Sequence, residues 1–237
     1  MNPLKRLALF ALLSAAAAAN VHAADNTLTA AEKKSGWTLL FDGRTTAGWR
    51  LYGSTNGPGP GWQVTDGVLK KIHEGKGGDI VTVKQFDNFE FAWDWRVEPG
   101  GNNGIKYLVT EKRKGAPGHE YQMIDDEKHP DGKIGPQRQT ASFYDVLAPA
   151  ANKPSKPGGE WNNSRVLIQG NHVEHWLNGA KVLEYELGSD AVKAAVAKSK
   201  FKNAEGFGTK ISGHIMLTDH HDEASFKNMR LRELKAK

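Results

Sequence analysis

A chain of 237 residues with a formal charge of +5, 26 glycines, seven tryptophans and no cysteine excludes a disulfide framework and a cysteine-linked lipid anchor. Lys5 and Arg6 fall in an N-terminal leader, so the excess drops to +3 without them. That small and scattered excess does not argue for a nucleic-acid partner.

Met1 to Ala23 reads as a secretory leader, with Lys5 and Arg6 followed by an apolar run and then Val21-His22-Ala23 as a small-residue cleavage site. The run is too short for a retained span, which needs roughly 20 apolar residues, and no later stretch approaches that length. The expectation is an exported, periplasmic or secreted chain with one domain over residues 24–237.

Thr29 to Lys34 predicts a short helix, with Thr at the cap and Glu three residues on. Trp37 to Phe41 and Gly48 to Tyr52 read as strands, and Gly53 to Gly61 is a loop. Trp62-Gln63-Val64 and Val68 to Ile72 flank a glycine-containing turn and predict a hairpin, and Asp79 to Val83 is another short strand. From Phe89 to Val97, Phe89, Phe91, Trp93, Trp95 and Val97 fall on one face and Glu90, Asp94 and Arg96 on the other. This is a half-buried strand whose aromatic stripe belongs to the core. Ile105 to Val109 follows a Gly/Asn turn, and a basic loop from Glu111 to Gly118 leads to Glu120-Tyr121-Gln122-Met123-Ile124, again with strand composition. Ala141 to Pro149 predicts a strand between two loops. Glu160 to Ile168, Val173 to Asn178 and Lys181 to Tyr185 predict a three-strand meander whose second turn is Asn178-Gly179. Asp190 to Lys198 is the clearest helix, starting at Ser189. Gly213 to His221 and Ser225 to Leu234 close the chain. Many strands with turns between them and little helix imply an all-β sandwich of two antiparallel sheets. Abundant aromatics and tight turns are also common in β-proteins that handle carbohydrate.

The stretch Gly118 to His129 carries the densest chemistry. Alternation places Glu120, Gln122 and Ile124 on one face, so a carboxylate and an amide lie side by side. A two-carboxylate glycosidase needs its acids roughly 5–9.5 Å apart. The next acid on the face of Glu120 is Asp126, about 20 Å along an extended strand, so this strand alone does not supply the pair. Histidines offer other chemistry, because Asp125-Asp126 with His129, Glu174 with His175 and Asp219 with His220 each place an imidazole near an acid. Such a pair makes a general base near neutral pH or half of a divalent-metal site. Asp125, Asp126 and His129 are the metal candidates, without a His-Glu-x-x-His spacing. Gly57 to Gly61 lacks the Lys-Ser/Thr of a phosphate cradle.

Leu40-Phe41-Asp42-Gly43, Gly48-Trp49, Trp95-Arg96, Asn103-Gly104-Ile105, Gly118 to His129, Tyr144-Asp145, Trp161-Asn162, His175 to Gly179 and Asp219-His220 together resemble the 3-keto-disaccharide hydrolase family, over almost all of the chain after the leader. Thr218 stands where glutamine is expected and Asn103 where serine is usual. The resemblance implies a concanavalin-like jelly roll and an oxidised sugar as substrate, supplied by a sugar 3-dehydrogenase. A C3 ketone acidifies the C2 hydrogen, a base removes it, the aglycone at C1 is expelled and water adds. The roles implied are His220 or His175 as base, with Glu120 and Asp219 as acid or orienting groups. Lys106, Gln122, Tyr144, Asn178 and Asn103 would hold the sugar, and Trp176 would stack on it. This route requires no cofactor, although a divalent metal could assist. The rival expectations are a non-catalytic carbohydrate-binding module and a conventional glycan hydrolase.

Overall fold

The structure is a computed structural model that describes residues 25–73, 75–113 and 115–236, so the expected leader and its cleavage point lie outside the described residues. Two antiparallel sheets face each other. In chain order the elements are α1 (Ala30–Lys34), β1 (Thr38–Leu39), β2 (Trp49–Leu51), β3 (Trp62–Thr65), β4 (Val68–Lys71), β5 (Ile80–Thr82), β6 (Phe89–Val97), β7 (Asn102–Val109), β8 (His119–Ile124), β9 (Asn162–Gln169), β10 (His172–Leu177), β11 (Ala180–Glu186), α2 (Asp190–Val196), β12 (His214–Leu217) and β13 (Ala224–Glu233). One sheet runs β11-β10-β9-β6-β13-β4-β3, with β1 also pairing β13, and the other runs β2-β5-β12-β7-β8. Among the described residues no helix is long and apolar enough to cross a membrane.

The core between the sheets follows the period-two pattern. Phe89, Phe91, Trp93, Trp95 and Val97 of β6 are all buried in it, as are Ile105 and Tyr107 of β7, Tyr121 and Met123 of β8, and Ile215 and Leu217 of β12. Local signals work where the residue dictates the backbone. Thr29 and Glu32 form a reciprocal capping box at α1, and Asn178 and Gly179 both adopt positive φ in the tight turn between β10 and β11. Ala141 to Pro149 departs from expectation. Ala141 and Asp145 have positive φ, and the segment makes only isolated bridges from Phe143 to Tyr121 and Leu147. Ala141, Phe143 and Tyr144 are buried by folding over the edge of β8 rather than by forming a strand.

The structure corrects the expectation for His175. Its side chain points into the core with no exposed surface, among the rings of Tyr107, Tyr121 and Tyr185. Nδ1 lies 2.9 Å from the carbonyl of Ala141 and Nε2 lies 2.9 Å from the Tyr107 hydroxyl. The hydrogen-bond network assigns the proton to Nδ1, which donates to Ala141. An imidazole so enclosed meets no substrate and is a structural link between the two sheets. Burial holds its pKa down at about 4, against a smaller opposing effect of the Ala141 carbonyl, and burial holds His119 down at about 3.

These histidines make stability depend on pH. The unfolded chain binds their protons as pH falls below about 6.5, whereas the native state refuses them until about pH 4 at His175, so stability is lost over that window. His175 alone accounts for roughly 3 kcal/mol by pH 4. Urea unfolding at pH 7 and pH 4.5 should show a smaller drop for His175→Gln than for the wild type; identical drops would mean that the buried imidazole is not the cause.

Candidate functional site

The outer face of the five-stranded sheet carries the site, and strand register explains its layout. Glu120 on β8 pairs Lys106 on β7, which pairs Met216 on β12, then Val81 on β5 and Arg50 on β2. One row of side chains therefore crosses the sheet. Its middle is closed, because Val81, Val109 and Met216 form a small buried cluster against Tyr52. Arg50 ties down that end through the Glu111 carboxylate at 2.8 Å. A bulge at Leu108, with φ of 52°, brings Val109 onto the same face as Lys106.

The other end of the row opens into a cleft of about 110 Å³, whose lining includes Asn102, Lys106, Glu120, Gln122, Tyr144, Lys200, Phe201 and His220. A roomier hollow of about 460 Å³ beside Leu40 and Phe86 has a mainly apolar lining and lacks such a set of polar groups. Glu120 is 5 % exposed, with Oε2 3.8 Å from Lys106 Nζ and Oε1 3.8 Å from His220 Nε2. Burial pushes its pKa up, but the charges of Lys106, His220 and Lys200 outweigh burial and hold it below the ordinary glutamate value. For His220, burial acts downward and Glu120 outweighs it, so its pKa lies above the usual 6.5.

Backbone geometry makes this placement possible. A Cβ on Gly104 would lie 2.2 Å from Glu120 Oε1, so the carboxylate occupies space that only glycine leaves. His220 is presented by a tight turn in which Asp219 Oδ1 accepts from the His221 backbone N–H at 3.0 Å. Asp219 is anchored in turn by the fully buried Lys71 ammonium at 2.9 Å and by the Gly78 N–H at 2.7 Å. Asp219 therefore orients the His220 turn and does not line the cleft. Two acceptors in the cleft wall, Asn102 Oδ1 and Gln122 Oε1, are buried without a hydrogen-bond partner among the described residues. They are ready to accept from hydroxyl groups.

A second clamp brings the far wall in. Arg138 bridges Asp131 and Asp145, each at 2.6 Å. Tyr144 donates its hydroxyl proton to Asp131 at 2.7 Å, and the Lys200 backbone N–H donates to Asp145 at 2.7 Å. The Lys200 ammonium lies 4.1 Å from the centre of the Tyr144 ring.

The structure thus brings Lys106, Glu120, Gln122, Tyr144 and His220 together and separates the other candidates. Asn103 points inward, where its Nδ2 donates to the Thr218 carbonyl at 2.9 Å and its Oδ1 faces the Thr218 hydroxyl at 3.4 Å. The two positions that depart from the family pattern are therefore partners in the core and do not touch the cleft. Trp176 belongs to the other sheet, where it carries the Arg165 guanidinium on its ring and donates to Glu174. Asn178 stitches its own turn to Asn163, Asn162 and Pro154. Asp125 caps the backbone N–H groups of Gly100, Glu127 and Lys128. Asp126 pairs with Lys153, and His129 Nδ1 accepts from the Asp131 N–H. Among the described residues, the two groupings with converging metal-ligand atoms are His73, Glu98, Asp222 and His172, Glu174, Glu184. Neither contains Asp125, Asp126 or His129, although the second includes Glu174, without its sequence partner His175. Sequence reasoning missed Asn102, Lys200 and Phe201. Parity along β7 identifies Asn102, since it shares a face with Gly104 and Lys106, whereas Lys200 arrives from a loop whose sequence gives no such signal.

Residues 36–232 match the family described as the 3-keto-alpha-glucoside-1,2-lyase-like domain. A 3-keto-disaccharide hydrolase of Bacteroides thetaiotaomicron is 36 % identical over 232 residues, covering 84 % of this chain and 79 % of the relative. A crystal structure of a protein described as a putative glycosyl hydrolase from Parabacteroides distasonis is 37 % identical with a TM-score of 0.80, covering 90 % of this chain and all of the other. A Bacillus licheniformis β-glucanase matches with a TM-score of 0.51 at 9 % identity, over 84 % of this chain and 99 % of the other, which shows the concanavalin-like jelly roll alone.

Gly104→Ala should displace the Glu120 carboxylate and leave the core intact. NMR titration of His220 should then show its pKa falling below the wild-type value, because burial persists while the stabilising charge moves away. An unchanged His220 titration would show that the two groups are not held together through Gly104.

Proposed function

Because the chain belongs to the 3-keto-alpha-glucoside-1,2-lyase-like family, we propose that it cleaves 3-keto glycosides by C2 proton abstraction, β-elimination of the aglycone and hydration. Fold and relatives support glycoside hydrolysis, and the order of events is our reading. The observation that carries it is the composition of the cleft: among the described residues Glu120 is the one carboxylate lining it, and it lies between Lys106 and His220. Displacement at C1 by paired carboxylates needs a second acid about 5–9.5 Å away. Elimination needs a base and a cation at the developing oxyanion.

His220 is the base, and Glu120 stabilises the imidazolium that forms. As the C2–H bond breaks, its electron pair passes into the C2–C3 bond and the ketone becomes an enolate, whose oxygen is held by Lys106. The unpaired acceptors Asn102 Oδ1 and Gln122 Oε1 take the hydroxyl protons of the ring and fix its orientation. Collapse of the enolate re-forms the ketone, creates a C1=C2 double bond and expels the aglycone, and water then adds at C1. An enzyme acting this way depends on prior oxidation of the C3 hydroxyl by a sugar dehydrogenase. With the leader read in the sequence, the reaction we propose would take place outside the cytoplasm.

On a 3-keto glucoside, His220→Ala and Lys106→Met should each lower kcat by about 10²-fold or more, while His175→Gln should retain most of it in protein that remains folded. Wild-type activity should rise with pH through a limb above 6.5, since His220 must be neutral to accept a proton. In Glu120→Gln that limb should move to lower pH at reduced rate, because the main interaction opposing burial is then lost. Full turnover by His220→Ala would end this assignment.

A further inference from the structure

We propose that Lys200 donates the proton to the departing glycosidic oxygen, standing on the rim shared by the polar cleft and an outer vestibule that receives the leaving group. The inference rests on the elimination reading above and assigns the step that reading leaves open. The vestibule, about 320 Å³, is lined by Gly115, Ala116, Lys200, Phe201, Asn203 and Ala204. It shares its first four residues with the cleft that holds Glu120 and His220. A glycoside whose ketosugar fills the inner cleft and whose aglycone fills the vestibule has its scissile C1–O bond at that shared rim. Of the four rim residues only Lys200 carries a proton to give.

Three features suit it to the task. Its backbone is fixed by the 2.7 Å bond to Asp145, and its ammonium rests over the rings of Tyr144 at 4.1 Å and Phe201 at 5.2 Å, so the flexible side chain is drawn across the rim. Although Lys200 is exposed at the rim, desolvation by the surrounding walls outweighs the nearby carboxylates and holds its pKa below the ordinary lysine value, which makes it a stronger acid than a fully solvated lysine. The other donors are committed: Tyr144 to Asp131, Lys106 and His220 to the neighbourhood of Glu120. As the enolate collapses, the C1=C2 bond forms and the C1–O bond breaks with its electron pair going to oxygen. That oxygen takes one proton from the ammonium, leaving a neutral amine that solvent reprotonates. Phe201 and Ala204 give the vestibule an apolar surface, against which a sugar ring or an aryl group can lie.

The test varies the leaving group. A 4-nitrophenolate departs without a proton, whereas methoxide needs one. Lys200→Met should therefore lower kcat/KM for a methyl 3-keto glucoside by about 10²-fold and for the 4-nitrophenyl 3-keto glucoside by less than about 3-fold. Lys200→Arg, which keeps the charge with a far weaker acid, should resemble Lys200→Met on the methyl glycoside. Both substitutions alter an exposed residue, so an unchanged thermal midpoint verifies folding. Slowing of equal size on both substrates, slowing on neither, or recovery of the methyl glycoside by Lys200→Arg would overturn the proposal. A wild-type protein inert toward both 3-keto glycosides would instead sink the elimination reading itself, and the donor with it.

Discussion

A carboxylate buried to 5 % exposure is the constraint from which the rest of the site follows. Taking Glu120 out of water costs several kcal/mol, and one cation near 4 Å returns roughly 4 kcal/mol at the effective dielectric of a protein surface. One neighbour would barely compensate; Lys106 and His220 flank it on both sides. Each support then has a reason. Gly104 gives the carboxylate room, the turn at Asp219 delivers His220, and Lys71 with Gly78 holds that turn. The buried Lys71–Asp219 pair is the same problem solved one layer deeper, with one backbone hydrogen bond to Lys71 and two to Asp219.

The sandwich also decides what size of molecule can reach that charge. A five-stranded sheet whose outer face lay open from β8 to β2 would be a groove for a polymer. Here Tyr52 covers Val81, Val109 and Met216, and Arg50 locks onto Glu111 over the far end. The β7–β8 end opens into the polar cleft, walled by the irregular segment around Tyr144 and by the loop bearing Lys200. The result is a short, polar cleft with an adjoining vestibule, which matches a small glycoside better than a chain of sugars. That closure comes from loops and a bulge, elements whose shape depends on distant partners.

That dependence explains what could be read from the sequence and what could not. Alternation from Phe89 to Val97 and from Glu120 to Met123 assigns each residue to a face, so the two-sheet sandwich and the shared face of Glu120 and Gln122 were legible, whereas the burial of both faces of β8 was not. The Asn178-Gly179 turn and the capping box at Thr29 were legible because their residue types dictate local φ and ψ. His175 misled because acid–histidine adjacency in sequence says nothing about direction. On β10, Glu174 and His175 point to opposite faces, and only the imidazole enters the core. Ala141 to Pro149 misled for a related reason: strand composition reports a need for burial, which a folded-over segment satisfies as well. Asn103 entered through motif likeness, whereas parity with Lys106 along β7 points to Asn102.

The sign of the charge in the cleft separates the two ways a glycosidic bond can break. Direct displacement at C1 passes through an oxocarbenium-like state that accumulates positive charge on the ring and is served by carboxylates. Among the described residues this cleft sets the Lys106 and Lys200 ammoniums against the Glu120 carboxylate, with His220 neutral when it acts as base, a field that opposes a cationic ring and favours an anionic one. An enolate is anionic, and its charge lies on an oxygen two atoms from the breaking bond, where an ammonium can stabilise it without blocking C1. A ketone at C3 is what converts the substrate from the first class to the second. On the elimination route proposed above, the two ammoniums around one buried carboxylate are the counterpart of an oxidised sugar, because the same arrangement facing an ordinary glycoside would raise the barrier it is meant to lower.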